Sequence, residues 1–156
     1  MPSGDPQPST TWPQFAVANP DLAAFGAARL TAKPAYLATI RVNGSPRVHP
    51  VTPIVGPTGL FLFMEPASPK AGDLRERERF ALHSGVPDNA GTGGEFSVSG
   101  VGRLVDDAET RNAASSAASY PPAERYILFE LRLTEARANG YGDVDLPDRP
   151  RWSAAT

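Results

Sequence analysis

The chain has 156 residues and a mass of 16.5 kDa, the size of one ordinary domain. Its 17 prolines and 14 glycines make about a fifth of the sequence, short of the roughly 25–30% of aperiodic disordered chains. With no cysteine and two histidines, disulfides, thiolate chemistry and His-rich metal centres are excluded, and no metal is expected. A net charge of −2 and a pI near 5.7 give no basic field for nucleic acid, and no apolar run approaches the roughly 18 residues of a membrane span. The first 15 residues carry no apolar core of a signal peptide, so a soluble, cytoplasmic protein is expected.

Pro2, Pro6, Pro8 and Pro13 among Ser, Thr and Gln predict a flexible arm over residues 1–18, with Trp12 and Phe15 as anchor points. Asn19-Pro20-Asp21 opens a helix of about a dozen residues, Asn19 capping it and Pro20 filling the first helical position, and Lys33-Pro34 ends it. The period then changes to two. Residues 35–42 alternate as a strand, Asn43-Gly44 is a hairpin turn, residues 47–55 return, and residues 56–59 turn the chain into a third strand at 60–64. These three predict an antiparallel meander, with Pro50 and Pro53 marking the middle strand as an edge or an interruption. A short helix follows Ser68-Pro69. Further strands are expected at 79–86, at 95–107, where Gly100 and Gly102 suggest a bulge, and at 124–139, with an alanine-rich helix over 107–119 between the last two. Six antiparallel strands with short helices predict a mainly β fold, a small barrel over residues 19–140, with no repeat or second domain and a tail over 141–156.

The chemistry concentrates between Arg47 and Leu82. A helix N-terminus presents free N–H groups and the positive end of a dipole, Ser68 adds a hydroxyl and Lys70 a full charge, which together suit a phosphate. Arg47, on a neighbouring strand, could bind phosphate oxygens in a bidentate way. The same residues also read simply as a helix start and a surface strand arginine. The sequence between residues 75 and 79, RERER, reads most simply as a solvated helix face on which Asp73 pairs with Arg77. No dinucleotide fingerprint and no nucleophile elbow are present.

The run ATIRVNGSPRVHPVTPIV…GLFLFMEPASPKAGDLRERERFALHS resembles the pyridoxamine-phosphate-oxidase-like, FMN-binding split-barrel family. In that family an Arg-bearing strand lies along the flavin ring, and a Ser-x-Lys loop holds the FMN phosphate at a homodimer interface. The resemblance implies a six-stranded antiparallel split barrel, a homodimer with cofactor at its interface, and flavin-mediated electron transfer with a small molecule. Carried over by position, Arg47 is the strand arginine, and Val48, His49, Pro50, Val51 and Thr52 are the ring-facing stretch. Phe63 and Met64 end the next strand, Ser68, Pro69 and Lys70 form the phosphate loop, and Arg75 is a further candidate contact from the helix.

Two departures imply a reaction other than the vitamin B6 oxidation itself: Thr52 stands where those oxidases usually carry lysine, and the chain ends in DLPDRPRWSAAT rather than in an Arg-, His- and Trp-rich substrate segment. The alternatives are a deazaflavin-dependent reductase on the same barrel, with Arg75, Arg77 and Arg79 serving a long anionic tail, and a binding module that holds flavin or haem without turnover. No catalytic acid or base is evident. His49 is either a cofactor contact or a tolerated polar residue, His83 a structural or interface residue or else a cofactor contact, and Trp152 either a lid or a cover for the core.

Overall fold

Turn and cap residues divide the chain much as the sequence expects. In the computed structural model, which describes residues 8–155, helices α1 (Trp12–Ala18) and α2 (Pro20–Leu30) precede strands β1 (Ala35–Ile40), β2 (Pro46–Val51), β3 (Ile54–Val55) and β4 (Leu60–Met64). Then come α3 (Pro69–Glu76), β5 (Arg79–His83), β6 (Glu95–Leu104), α4 (Ala108–Ala117), β7 (Ile127–Asn139) and β8 (Arg151–Ser153). Asn19 caps α2 by accepting from the Leu22 N–H, and Asp107 caps α4 by accepting from Thr110.

The strands form one antiparallel sheet in the order β2-β1-β5-β6-β7-β4-β3, with β8 pairing with β7 off that path. Six strands are expected and eight are present among the described residues. The expected strand at 47–55 is broken at Thr52 and Pro53 into β2 and the two-residue β3, and β8, of three residues, is too short to give an alternating signal. The two edges of the path, β2 and β3, are separated in the chain by Thr52 and Pro53 alone. Three Cα steps of about 3.8 Å reach at most roughly 11 Å, whereas six flat inter-strand steps of about 4.8 Å would put the edges roughly 29 Å apart. The sheet therefore curls, which makes the fold a split barrel.

This closure also overturns the expected three-strand meander. β2 pairs with β1 only, and β4 pairs with β3 and β7. Pro53 has no N–H for a ladder, and the strand stops at Val51, so β2 is an edge, as its prolines predict.

The main core fills the barrel with Leu37, Leu60, Leu62, Leu82, Phe96, Phe129 and Leu131, closed by Trp12 and Phe15 of α1, Leu22 and Phe25 of α2, and Ala71 and Leu74 of α3. A smaller cluster of Ile54, Phe61, Phe63 and Leu128 lies outside the wall under Ala114 of α4.

Two sequence expectations are corrected at the ends. Residues 8–18 are not a flexible arm: Thr10 bridges Leu133, Thr11 and Gln14 form a capping box, and Phe15 is fully buried. The Trp12 ring stands edge-on to Phe15 and Phe96 at 5.2 and 6.1 Å. A Pro- and Thr-rich composition argues for disorder only where no large side chain finds a core to enter, and here two do. Residues 1–7 of the expected arm lie outside the described residues. Likewise the tail is joined to the sheet through β8, and Trp152 packs on Phe15 at 4.9 Å, covering core rather than forming a lid.

The β6–β7 register shifts between Ser99 and Gly100, the bulge that the glycines suggest. A Cβ on Gly100 would lie 1.8 Å from the Arg132 carbonyl oxygen, so Gly100→Ala should lower stability by about 1–3 kcal/mol or more. Gly72, inside α3 with open space around it, provides the contrast: Gly72→Ala should raise stability by about 0.5–1 kcal/mol. Urea denaturation of the two variants checks both signs.

Candidate functional site

Strand alternation sorts the β2 residues between two faces. Arg47, His49 and Val51 are half-buried on the inner face, while Pro46, Val48 and Pro50 are exposed on the outer one. Across the ladder the inner three stand opposite Thr39, Leu37 and Ala35 of β1, all buried. The expected ring-facing stretch thus splits: Val48 and Pro50 point away from Arg47 and His49, and Thr52 is exposed in the break between β2 and β3.

Helix α3 lies against this inner face, anchored by Ala71 and Leu74 in the core. Between them it brings in a carboxylate, Asp73, which is only 5% exposed. Asp73 Oδ2 accepts from the Thr39 hydroxyl at 2.7 Å and from Arg47 Nε at 2.8 Å, and Oδ1 lies 3.5 Å from Arg77 Nη2. Arg77 Nε in turn donates to the Ile40 carbonyl at 2.8 Å. The Asp73–Arg77 pairing expected from spacing is present, but on a buried face. The stronger partners come from 26 and 34 residues away, where local spacing carries no signal. Burial pushes the Asp73 carboxyl up, yet the hydrogen bonds from Arg47 and Thr39 and the charges of Arg47 and Arg77 outweigh it and hold the group below the usual carboxylate range.

The carboxylate fixes Arg47 through Nε, and no described residue accepts from its terminal nitrogens. Lys70, in the first turn of α3, makes no hydrogen bond or ion pair through its ammonium among the described residues. At the start of that helix Pro69 has no N–H, and Ala71 and Gly72 donate to the Ser68 carbonyl at 3.1 and 3.2 Å. The Lys70 N–H is the backbone donor left over. Ser68 occupies the cap position, but its hydroxyl donates to the Glu65 carbonyl at 2.7 Å and makes no cap bond, so its proton is committed within the turn. His49, two residues along β2 from Arg47, lies within electrostatic reach of both cations. Its Nε2 is buried with no hydrogen-bond partner. Burial, followed by the charges of Lys70 and Arg47, holds the imidazole below its ordinary pKa against the opposing pull of Asp73.

Three expected contacts are not gathered here. Arg75 is exposed and, at about 100° per residue, lies roughly 160° around α3 from Asp73, lining an adjoining hollow with Glu78 and Arg79. Phe63 and Met64 are 8% and 2% exposed, their side chains packed into the outer and the inner core clusters.

An open cleft of about 490 Å³ begins at Arg47 and Pro69 and runs along α3, past Gly72 and Asp73, to Arg77. A larger hollow of about 560 Å³ lies elsewhere, among Tyr36, Gly85 and the end of α2. Its cations are already engaged: Arg29 donates to the Phe25 and Gly93 carbonyls and Lys33 to that of Ala28. Of these two hollows, the β2–α3 cleft is the one beside a cation whose terminal nitrogens no described residue engages.

A family model described as pyridoxamine 5'-phosphate oxidase matches residues 23–140. None of the curated proteins matches the chain. Among solved structures it is similar to a heme binding protein from Mycobacterium smegmatis, with a TM-score of 0.63 and 19% identity over 84% of this chain, which spans 58% of that one. It is also similar to HutZ, the heme storage protein from Vibrio cholerae, with a TM-score of 0.57, 16% identity, and 79% and 95% of the two chains covered. General Stress Protein 26 from Bacillus anthracis gives a TM-score of 0.57 and 13% identity, with 83% and 96% covered. Identities this low establish a shared fold and no more.

Replacing Asp73 with Asn should cost about 2 kcal/mol, less than the roughly 3–5 kcal/mol for breaking a fully buried pair, because Arg47 can turn toward water. A carboxyl whose folded pKa is depressed stabilises fully well above its unfolded value near 3.9, and loses that contribution as pH falls through the folded pKa. Urea midpoints measured downward from about pH 6 should therefore drop more steeply below about pH 4 in the parent than in Asp73→Asn.

Proposed function

This chain belongs to the pyridoxamine 5'-phosphate oxidase family, and we propose that it is a homodimeric FMN-binding oxidoreductase acting on a small molecule other than a B6 vitamer. The observation that carries this reading is the arginine oriented by Asp73, its terminal nitrogens free, on the same inner face as the Lys70 charge. A mononucleotide phosphate bears close to two negative charges at neutral pH, and a partly buried dianion needs charged donors. Arg47, Lys70 and the unpaired Lys70 N–H fit that requirement. Arg47 and Lys70 would hold the phosphate, while the backbone of residues 48–52 and the Thr52 hydroxyl would flank the ring. Bound flavin supplies the hydride and electron transfer; the protein supplies binding and electrostatics. Thr52 offers a hydrogen bond but no charge, which supports a substrate different from that of the oxidases with lysine there.

The deazaflavin alternative needs further free cations for a longer anionic tail. Arg77 is occupied by Asp73 and the Ile40 carbonyl, and Arg75 and Arg79 line the adjoining hollow rather than the cleft at Arg47, so FMN is the better match. A second reading, haem, is favoured by the unpaired His49 nitrogen, since a neutral imidazole is the common protein ligand to haem iron.

The outer sheet face supports the dimer. Val48 is 64% and Tyr36 48% exposed, with Pro50, Ala38 and Ala81 beside them in register, an uncovered apolar surface of the kind that partners cover. A second copy is the occupant in this reading, and Val48→Asp should convert dimer to monomer in light scattering.

The visible spectrum and ligand mass of the purified protein test the cofactor. Flavin bands and FMN are expected, and titration should show Lys70→Ala and Arg47→Ala weakening FMN by about 10–100-fold each, the loss of one charge-assisted bond. A Soret band on adding haem, absent in His49→Ala, with no flavin uptake, would replace this reading by the second.

A further inference from the structure

We infer that His49 is a proton-linked donor in this site: its Nε2 bonds an anionic oxygen of a phosphate held between Arg47 and Lys70, and binding draws a proton onto the imidazole. The inference rests on the phosphate reading above and adds to it a residue, a protonation state and a dependence of affinity on pH.

The geometry carries it. Nε2 of His49 is buried without a partner, in an interior where polar side-chain atoms are nearly always satisfied. It projects from the inner face of β2, two residues along from Arg47 and opposite Leu37. The charged groups facing the ring are Lys70 and Asp73 from α3, Arg47 from β2 itself, and Arg41 just beyond β1. Three cations and one carboxylate thus act on the imidazole, and that carboxylate is already shared among Thr39, Arg47 and Arg77. A neutral imidazole is the stable form in so positive a setting, and it leaves a buried nitrogen idle.

A phosphate dianion at the same place leaves the burial of the ring unchanged and opposes the charge contributions. It offsets the charges of Lys70 and Arg47 that disfavour imidazolium, and it offers an acceptor to the Nε2–H. The imidazole's affinity for a proton therefore rises on binding. By linkage the ligand binds more tightly as pH falls, at most about tenfold per pH unit for one proton.

FMN, with riboflavin as the same ring lacking a phosphate, separates this from a structural role. The dissociation constant of each is measured by fluorescence from about pH 8.5 to about pH 6 in the parent and in His49→Gln. The phosphate's own second ionisation near pH 6 acts on both proteins alike, so the ratio of their FMN constants isolates His49. That ratio should grow about tenfold over the range, while the riboflavin ratio stays flat. As a check independent of the variant's folding, the parent's two imidazoles are followed by NMR: one should titrate at higher pH with FMN than without.

A pH-independent FMN ratio together with unmoved imidazole titrations overturns the role of His49 and leaves FMN binding standing. Equal growth of the riboflavin ratio places the nitrogen against the ring and overturns it as well. Failure of both proteins to bind FMN at every pH overturns the phosphate reading, and the inference with it.

Discussion

The two residues that join β2 to β3 constrain everything else. Because the edges of a seven-strand path are tied by Thr52 and Pro53, the sheet cannot lie flat, and its curl creates an inside that receives α3. Proline suits that link: it ends the ladder at the point where the chain must leave one edge and begin the other. An alternating strand at the split then presents one row of side chains to the interior and the other to the outer surface. Arg47 and His49 fall on the inner row and Val48 and Pro50 on the outer, so one short strand serves both a charged site and an apolar surface.

Inside the curl, Asp73 sets the electrostatics. A helix carrying Ala71 and Leu74 into a core would ordinarily bring apolar neighbours with it; here it brings a carboxylate that costs desolvation and is compensated by Thr39, Arg47 and Arg77. The arrangement locks α3 to β1 and β2, and holds the Arg47 guanidinium by one edge. Lys70 and His49 lack any such acid, so the site keeps a surplus of positive charge in a chain whose net charge is −2. That local surplus, set against the global deficit, is what would suit the site to an anion in the proposed reading.

Much of the fold was legible because its signals are local. Asn19-Pro20 marks a helix start, Asn43-Gly44 a hairpin turn and the paired glycines of β6 a bulge through the backbone conformations they permit, whatever surrounds them. The candidate site was legible only in part. Arg47 and Lys70 could be picked out by charge and position. The commitment of the Ser68 hydroxyl to Glu65, the rotation of Arg75 to the far side of α3 and the burial of Phe63 and Met64 depend on how elements pack.

The amino-acid order by itself determines where most of the strands and helices lie, that the protein is mainly β, and that a cluster of cations lies near the start of α3, because capping, turn formation and alternation act over a few residues. Only the tertiary structure decides that residues 8–18 and 151–153 belong to the folded unit, that a supposed surface acid is a buried organiser, and that a histidine nitrogen is left without a partner. Those properties arise between residues from about 25 to 135 positions apart, where burial and pairing are set by the curl of the sheet and leave no periodic trace in the chain.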